Sequence, residues 1–184
     1  IIDALKRYEV HAYDVVVTKN YNNMPEVTIY IRKSCDKETI SKITDVVSQE
    51  IGSRMNVYSV GGSSKRNGVK ELKLIVKPEL NISPGFASVP AESNTVSGDS
   101  YSYVEIADGR AFAILSDGMG TGYEASKISK CIIHLFQRMI FSNISEIEAM
   151  SCINKLLLSD AYATCDVLAF DRFQKSVVIC KSAA

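Results

Sequence analysis

The sequence predicts an α+β fold of two successive units, and three observations carry that reading. Short runs alternate apolar and polar residues at the strand period of two, as Val27, Ile29 and Ile31 do. Other stretches space apolar residues three and four apart, as Ile40, Ile43, Val46, Val47 and Ile51 do. Between Pro78 and Pro90 the segment "PELNISPGFASVP" holds three prolines and a glycine with no periodicity, which marks a linker. Residues 1–80 then form a small α/β regulatory or interaction unit, 81–92 the linker and 93–184 a second unit.

In the first unit the amphipathic opening "IIDALKRYEV" precedes two strand-like runs, "AYDVVVTK" and "EVTIYIRK", divided by the turn-rich "NYNNMP". Asp36 stands where a helix N-cap belongs and Gly52 where a helix ends, so a helix fills the interval. Strands at "MNVYSV" and "KELKLIVK" flank the turn "GGSSKRNG" and complete a ββαββ unit. In the second unit "GDSYSYVEI" and "RAFAILSD" read as a hairpin about Ala107-Asp108-Gly109. Ala125, Ile128, Ile132, Leu135, Phe136 and Met139 form one stripe, which predicts a helix from Glu124 to about Phe141. Ser145 with Glu148 makes a capping box for a further helix, apolar at Ile147, Met150, Ile153, Leu156 and Leu157. The strands "YATCDVLAF" and "KSVVICKS" follow.

Composition removes several classes of function. Lys plus Arg equals Asp plus Glu at 21 each, so no basic field favours nucleic acid, and the Lys65-Arg66 spot reads as a solvated turn. No apolar run approaches the roughly 20 residues of a membrane helix, so a soluble chain without membrane contact of its own is expected. The five Cys are odd in number and lack C-x-x-C spacing, which disfavours both a disulfide framework and a zinc site. Cys131, Cys152, Cys165 and Cys180 sit in apolar-periodic runs as small core residues, and a reducing, cytoplasmic setting follows. His11 and His134 read as structural.

The chemistry concentrates in "SGDSYSYV" and "ILSDGMGTG", each with an Asp beside a Gly at the end of a strand. Hard cations such as Mg²⁺ and Mn²⁺ prefer oxygen ligands, and a pair of them needs carboxylates converging from separate strands. Whether Asp99 and Asp117 converge depends on the hairpin register. A two-residue Asp108-Gly109 turn pairs Ser100 with Asp117 and puts the aspartates on opposite faces. A three-residue loop with Gly109 left-handed pairs Ile106 with Arg110 and sets Asp99 opposite Asp117, gathering Val104, Ile106, Phe112 and Ile114 on one face. Gly118 and Gly120 fit a cation site, since a backbone carbonyl approaches a metal closely only where no side chain obstructs it. Against this, Asp-Gly pairs are common in plain turns; a separate reading of "SDGMGTG" as a phosphate-cradling loop is weak, because it lacks the Lys-Ser/Thr ending of a P-loop.

"VSGDSYSY", "AILSDGMGTGYEASKISK", "INKLLL" and "YATCDVLAFD" resemble, in order from about Val96 to Ala184, the phosphatase domain of the stage II sporulation protein E family, within the metal-dependent PPM class of serine/threonine phosphatases. The resemblance implies that the second unit is the N-terminal part of an αββα sandwich with antiparallel sheets. It implies metal ligation by Asp99, Asp117 and the Gly118 carbonyl, with two Mn²⁺ or Mg²⁺ ions in the complete domain. The catalytic residues implied are Asp99 and Asp117; no protein nucleophile is needed, because water activated between the cations attacks phosphorus in line. The implied substrate is a phosphoserine on an anti-sigma factor antagonist, whose dephosphorylation activates a sporulation sigma factor. A membrane-anchored parent with this part in the cytoplasm is implied as well. Two later Asp-bearing blocks of the family have no match, and Asp166 and Asp171 do not replace them, so an incomplete and inactive fragment is expected. The alternative is a non-catalytic interaction module, self-associating through the ββαββ unit and joined to a degenerate phosphatase half.

Overall fold

The structure, a computed structural model, describes residues 1–182 apart from 21, 33–35, 63–67, 92–94 and 158–162. The expectations for Lys65-Arg66 and for the Leu157 side chain lie outside the described residues. The strands form two four-stranded sheets, each wholly antiparallel. Two compact units result: Ile1–Pro78 with Ala107–Gly109, and Glu79–Ile106 with Arg110–Ala184.

The first unit runs α1 (Ile2–Arg7), β1 (Ala12–Lys19), β2 (Pro25–Arg32), α2 (Lys37–Ile51), β3 (Met55–Gly62) and β4 (Val69–Val76), with sheet order β1-β2-β4-β3. Strand alternation places Val27 against Leu74 and Ile29 against Leu72. These four, with Leu5, Ile43 and Val47, are fully buried and make the core. The Asp36 carboxylate accepts from the Thr39 amide at 2.8 Å and starts α2, and Gly52 closes it in the left-handed conformation. This is the ββαββ arrangement read from the sequence.

The second unit runs β5 (Asp99–Glu105), β6 (Arg110–Asp117), α3 (Gly122–Phe141), α4 (Glu146–Leu157), β7 (Cys165–Asp171) and β8 (Ser176–Ser182), the strands lying in chain order. Both helices cover one face, where Phe112, Ile114 and Val167 meet Ile132, Phe136 and Ile153. The Phe112 and Phe136 rings meet edge to face at 5.9 Å. A helical layer on one antiparallel sheet is half of the αββα arrangement, in keeping with the expected fold class. The opposite face of the sheet carries exposed Tyr101, Leu115, Leu168 and Ile179, aligned by the register Tyr101↔Leu115 and Leu168↔Ile179. Phe86 stacks on Tyr101 with ring centroids 4.4 Å apart.

The helix faces differ in part from the expected stripes. In α3 the buried set includes Ser126 and Ser129 beside Ile132, Ile133, Phe136 and Ile140, so the contact face is rotated from the one apolar residues alone define. The capping box at α4 forms: Ser145 Oγ donates to Glu148 Oε2 at 2.7 Å, and the Glu148 amide returns to Ser145 Oγ at 3.3 Å. Its buried residues are Ala149, Met150 and Ile153, whereas Ile147 and Leu156 are exposed. Cys165 is buried, but Cys131 and Cys152 lie on the outer sides of α3 and α4 and are exposed. His11 and His134 are exposed too, so neither is a core histidine.

Candidate metal centre

The hairpin decides the site. The Ile106 amide donates to the Arg110 carbonyl at 3.0 Å across Ala107-Asp108-Gly109, and Gly109 has φ 91°, a conformation that a residue without Cβ adopts at little cost. This three-residue connection pairs Asp99 directly with Asp117 and Ser100 with Ser116. The pairing of Ser100 with Asp117 does not form. Val104, Ile106, Phe112 and Ile114 fall on the helix-covered face, while both aspartates stand on the opposite face and are exposed.

Each aspartate is fixed through its backbone. At β5, Ser129 of α3 donates its hydroxyl to the Gly98 carbonyl at 2.7 Å and lies 2.7 Å from the Ser100 hydroxyl, so the residues on both sides of Asp99 meet one buried side chain. Ser97 adds an ST-type turn, its Oγ accepting from the Asp99 amide at 3.2 Å. At β6, the Thr164 amide donates to the Asp117 carbonyl at 2.8 Å. The Asp117 amide donates to Thr164 Oγ1 at 3.2 Å, and Ser116 Oγ donates to the Thr164 carbonyl at 2.7 Å. Gly118 then bridges to Ala163.

The neighbouring carboxyl raises Asp117 above its ordinary range: a hydrogen bond with Asp99 contributes most, then burial, then like charge. The sign for stability follows. Between the ordinary value of 3.8 and the raised one, the unfolded chain has released a proton that the folded chain keeps, so stability falls as pH rises through that window. Without metal, Asp117→Asn removes this decline and gains up to about 1 kcal/mol at pH 7, the scale of directly opposed like charges on a sheet. Urea midpoints in chelator from pH 3 to 7 check it; a variant that tracks the parent at every pH refutes the repulsion.

Gly118 is small for a reason the sequence does not show. A methyl on it would overlap the Ala125 carbonyl oxygen and sit 2.8 Å from the Ala125 carbonyl carbon, so the first turn of α3 packs directly on this backbone. The Gly118 and Gly120 carbonyl oxygens lie 3.3 and 3.5 Å from the position a Cβ would take on Gly98. Two opposed carboxylates are a start of a hard-oxygen donor set, suited to Mn²⁺ or Mg²⁺ and not to thiophilic metals. Among the described residues no ion pair to Asp117 forms, which fits a cation there. Among the described residues no cluster of three or more His, Cys, Asp or Glu side chains forms.

A groove of about 480 Å³ between β5 and α3 takes in Asp99, with Lys130, His134 and Gln137 along its helical side. Asp117 is not part of its lining, so of the opposed pair this groove receives only Asp99. Asp166 and Asp171 are not drawn into the site. Asp171 accepts from the Phe173 and Gln174 amides at 2.9 and 2.8 Å and closes the β7–β8 turn, and Asp166 pairs with Lys181 across the strands at 3.5 Å. The residues missed from sequence are Ser129, Thr164 and Ser116. Their one signal was polar side chains interrupting apolar runs.

No protein-family model matches the chain. It is similar to stage II sporulation protein E of Bacillus subtilis (strain 168), 27% identical over 175 residues, which is 93% of this chain and 21% of that protein. Against stage II sporulation protein E of Priestia megaterium the identity is 22% over 180 residues, 93% of this chain and 30% of the relative. The chain thus spans less than a third of the length of these curated relatives. Among solved structures it resembles the PP2C phosphatase domain with a fragment of the regulatory domain of the cell fate determinant SpoIIE from Bacillus subtilis. That match has a TM-score of 0.57 at 22% identity and covers 99% of this chain and 60% of the other, a likeness of fold. The chain is a relative of the stage II sporulation protein E proteins.

Proposed function

We propose that this chain is the regulatory-type unit and the N-terminal part of the phosphatase domain of a Mn²⁺- or Mg²⁺-dependent protein phosphoserine phosphatase. The observation that carries the reading is the direct pairing of Asp99 with Asp117 on one exposed sheet face. Asp99, Asp117 and the Gly118 carbonyl would hold the cations, which when bound supply Lewis acidity and an activated water. The chain's own part is to hold two negative charges in opposition and to present a groove beside them. Lys130 and His134 in that groove suit the anionic surroundings of a phosphoserine on a polypeptide. The family resemblance supplies the finer identity of the substrate, an anti-sigma factor antagonist in sporulation, and a cytoplasmic site of action. Among the described residues no helix is long and apolar enough to cross a membrane.

Two carboxylates and a carbonyl leave a pair of divalent cations under-coordinated, so the chain by itself should bind metal weakly and turn over little. The test is phosphate release from a phosphoserine peptide with Mn²⁺, run in parallel on this chain and on a longer natural chain containing it. Metal-dependent release by the longer chain and little by this one is the expected result. Full activity here would refute the ligand count. Inertness of both toward every phosphoserine substrate would favour the interaction module.

A further inference from the structure

We propose that Ser129 and Thr164 are positioning residues that set the opposition of Asp99 and Asp117, and that cation binding at the pair depends on their hydroxyls; the second clause rests on the metal reading above. The antiparallel ladder between β6 and β7 ends at the pair Leu115↔Asp166, short of Asp117. Beyond it the pairing of Asp117 with Thr164 continues in altered form. Thr164 still donates its amide to the Asp117 carbonyl, but the Asp117 amide turns to the Thr164 hydroxyl and the Thr164 carbonyl accepts the Ser116 hydroxyl. Side-chain hydroxyls thus take the place of ladder bonds where the strand carries its carboxylate.

Ser129 does the equivalent on the other strand. It is fully buried, and a serine has one proton to give. The Gly98 carbonyl at 2.7 Å is nearer than the Ser126 carbonyl at 3.1 Å, and given to Gly98 that proton leaves Ser129 Oγ free to accept from Ser100, so a single hydroxyl brackets Asp99. A buried hydroxyl with both capacities used is costly to misplace, which makes each clamp a fixed point. One clamp comes from α3 and the other from the start of β7, and the two carboxylates are opposed only while both hold.

The test uses Thr164→Val, which keeps shape and removes the hydroxyl, Thr164→Ser, which keeps the hydroxyl, and Ser129→Ala. Two quantities are read on the whole chain: metal-free hydrogen exchange at the Asp117 amide, and Mn²⁺ affinity from the electron paramagnetic resonance of free Mn²⁺. Thr164→Val should speed exchange at Asp117 about 10-fold or more and weaken Mn²⁺ binding by about 10- to 100-fold, the usual effect of losing an outer-shell partner. Thr164→Ser should restore both. Ser129→Ala should weaken Mn²⁺ comparably and shift the Gly98 carbonyl ¹³C resonance, with exchange at Asp117 unchanged. Should Thr164→Val fail to fold, Thr164→Ser and Ser129→Ala still decide. Parent-like exchange in Thr164→Val, or a Ser variant as impaired as the Val variant, overturns the clamp. Faster exchange with unaltered Mn²⁺ affinity overturns its role at the site. A parent chain that binds no Mn²⁺ removes the metal reading, and exchange and the Gly98 resonance then decide the clamps alone.

Discussion

On the proposed function, Asp117→Asn should lower Mn²⁺-dependent phosphate release by at least about 100-fold in a chain that is active to begin with, without unfolding it. Asparagine matches aspartate in volume, so the β6 backbone and its bonds to Thr164 can remain. What goes is one of two opposed negative charges, and with it much of the attraction for a divalent cation. Metal-centred charge stabilisation is worth several kcal/mol, and each 1.4 kcal/mol is a factor of ten in rate. The same substitution relieves the repulsion with Asp99, so activity and metal-free stability move in opposite directions. That opposition separates a functional role from a structural one. A variant that loses activity and stability together would mark Asp117 as a packing residue, and one that keeps its activity would end the metal assignment.

Gly118→Ala is expected to destabilise the second unit by about 3 kcal/mol, the upper part of the range for overpacking. The added methyl meets the backbone of Ala125 and not the end of a side chain, so relief requires moving the first turn of α3 or the end of β6. Gly120→Ala makes the contrast. A methyl there meets nothing within 4 Å, but φ is 94°, and the cost is the roughly 1–2 kcal/mol of a left-handed backbone on an L-residue. Urea denaturation of both variants checks the ranking; a Gly118→Ala chain as stable as the parent would mean that α3 yields freely at its N-terminus.

Much of this was legible before any coordinates. The αL requirement at Gly109 linked a turn to a register, and the register linked two aspartates. The caps at Asp36 and Ser145 were equally plain, because each uses a local rule that needs no tertiary context. What escaped was tertiary. Apolar periodicity has no means of seeing Ser126 and Ser129 as interior residues; the burial of Ser129 is made tolerable by its hydrogen bonds to the Gly98 and Ser126 carbonyls. The same blindness over-counted Ile147, Leu156, Cys131 and Cys152, which are apolar in sequence but face outward. Thr164 stands inside the block "YATCDVLAFD" with no pattern of its own, and its task depends on which strand ends beside it.

The clamps also imply an order of assembly. The aspartates belong to a single hairpin, whose strands can meet within about 1–10 μs because little chain must be closed. Ser129 reaches Gly98 across 31 residues, and Thr164 reaches Asp117 across 47. Closure entropy grows with loop length, so these contacts, which span α3 and α4 along the chain, are slower to form than the hairpin. The negative charges are therefore brought face to face early, while the strand ends that carry them are still loose, and their spacing becomes definite only when the last strands join. A nascent chain holds the two carboxylates of its candidate site well before it holds their geometry.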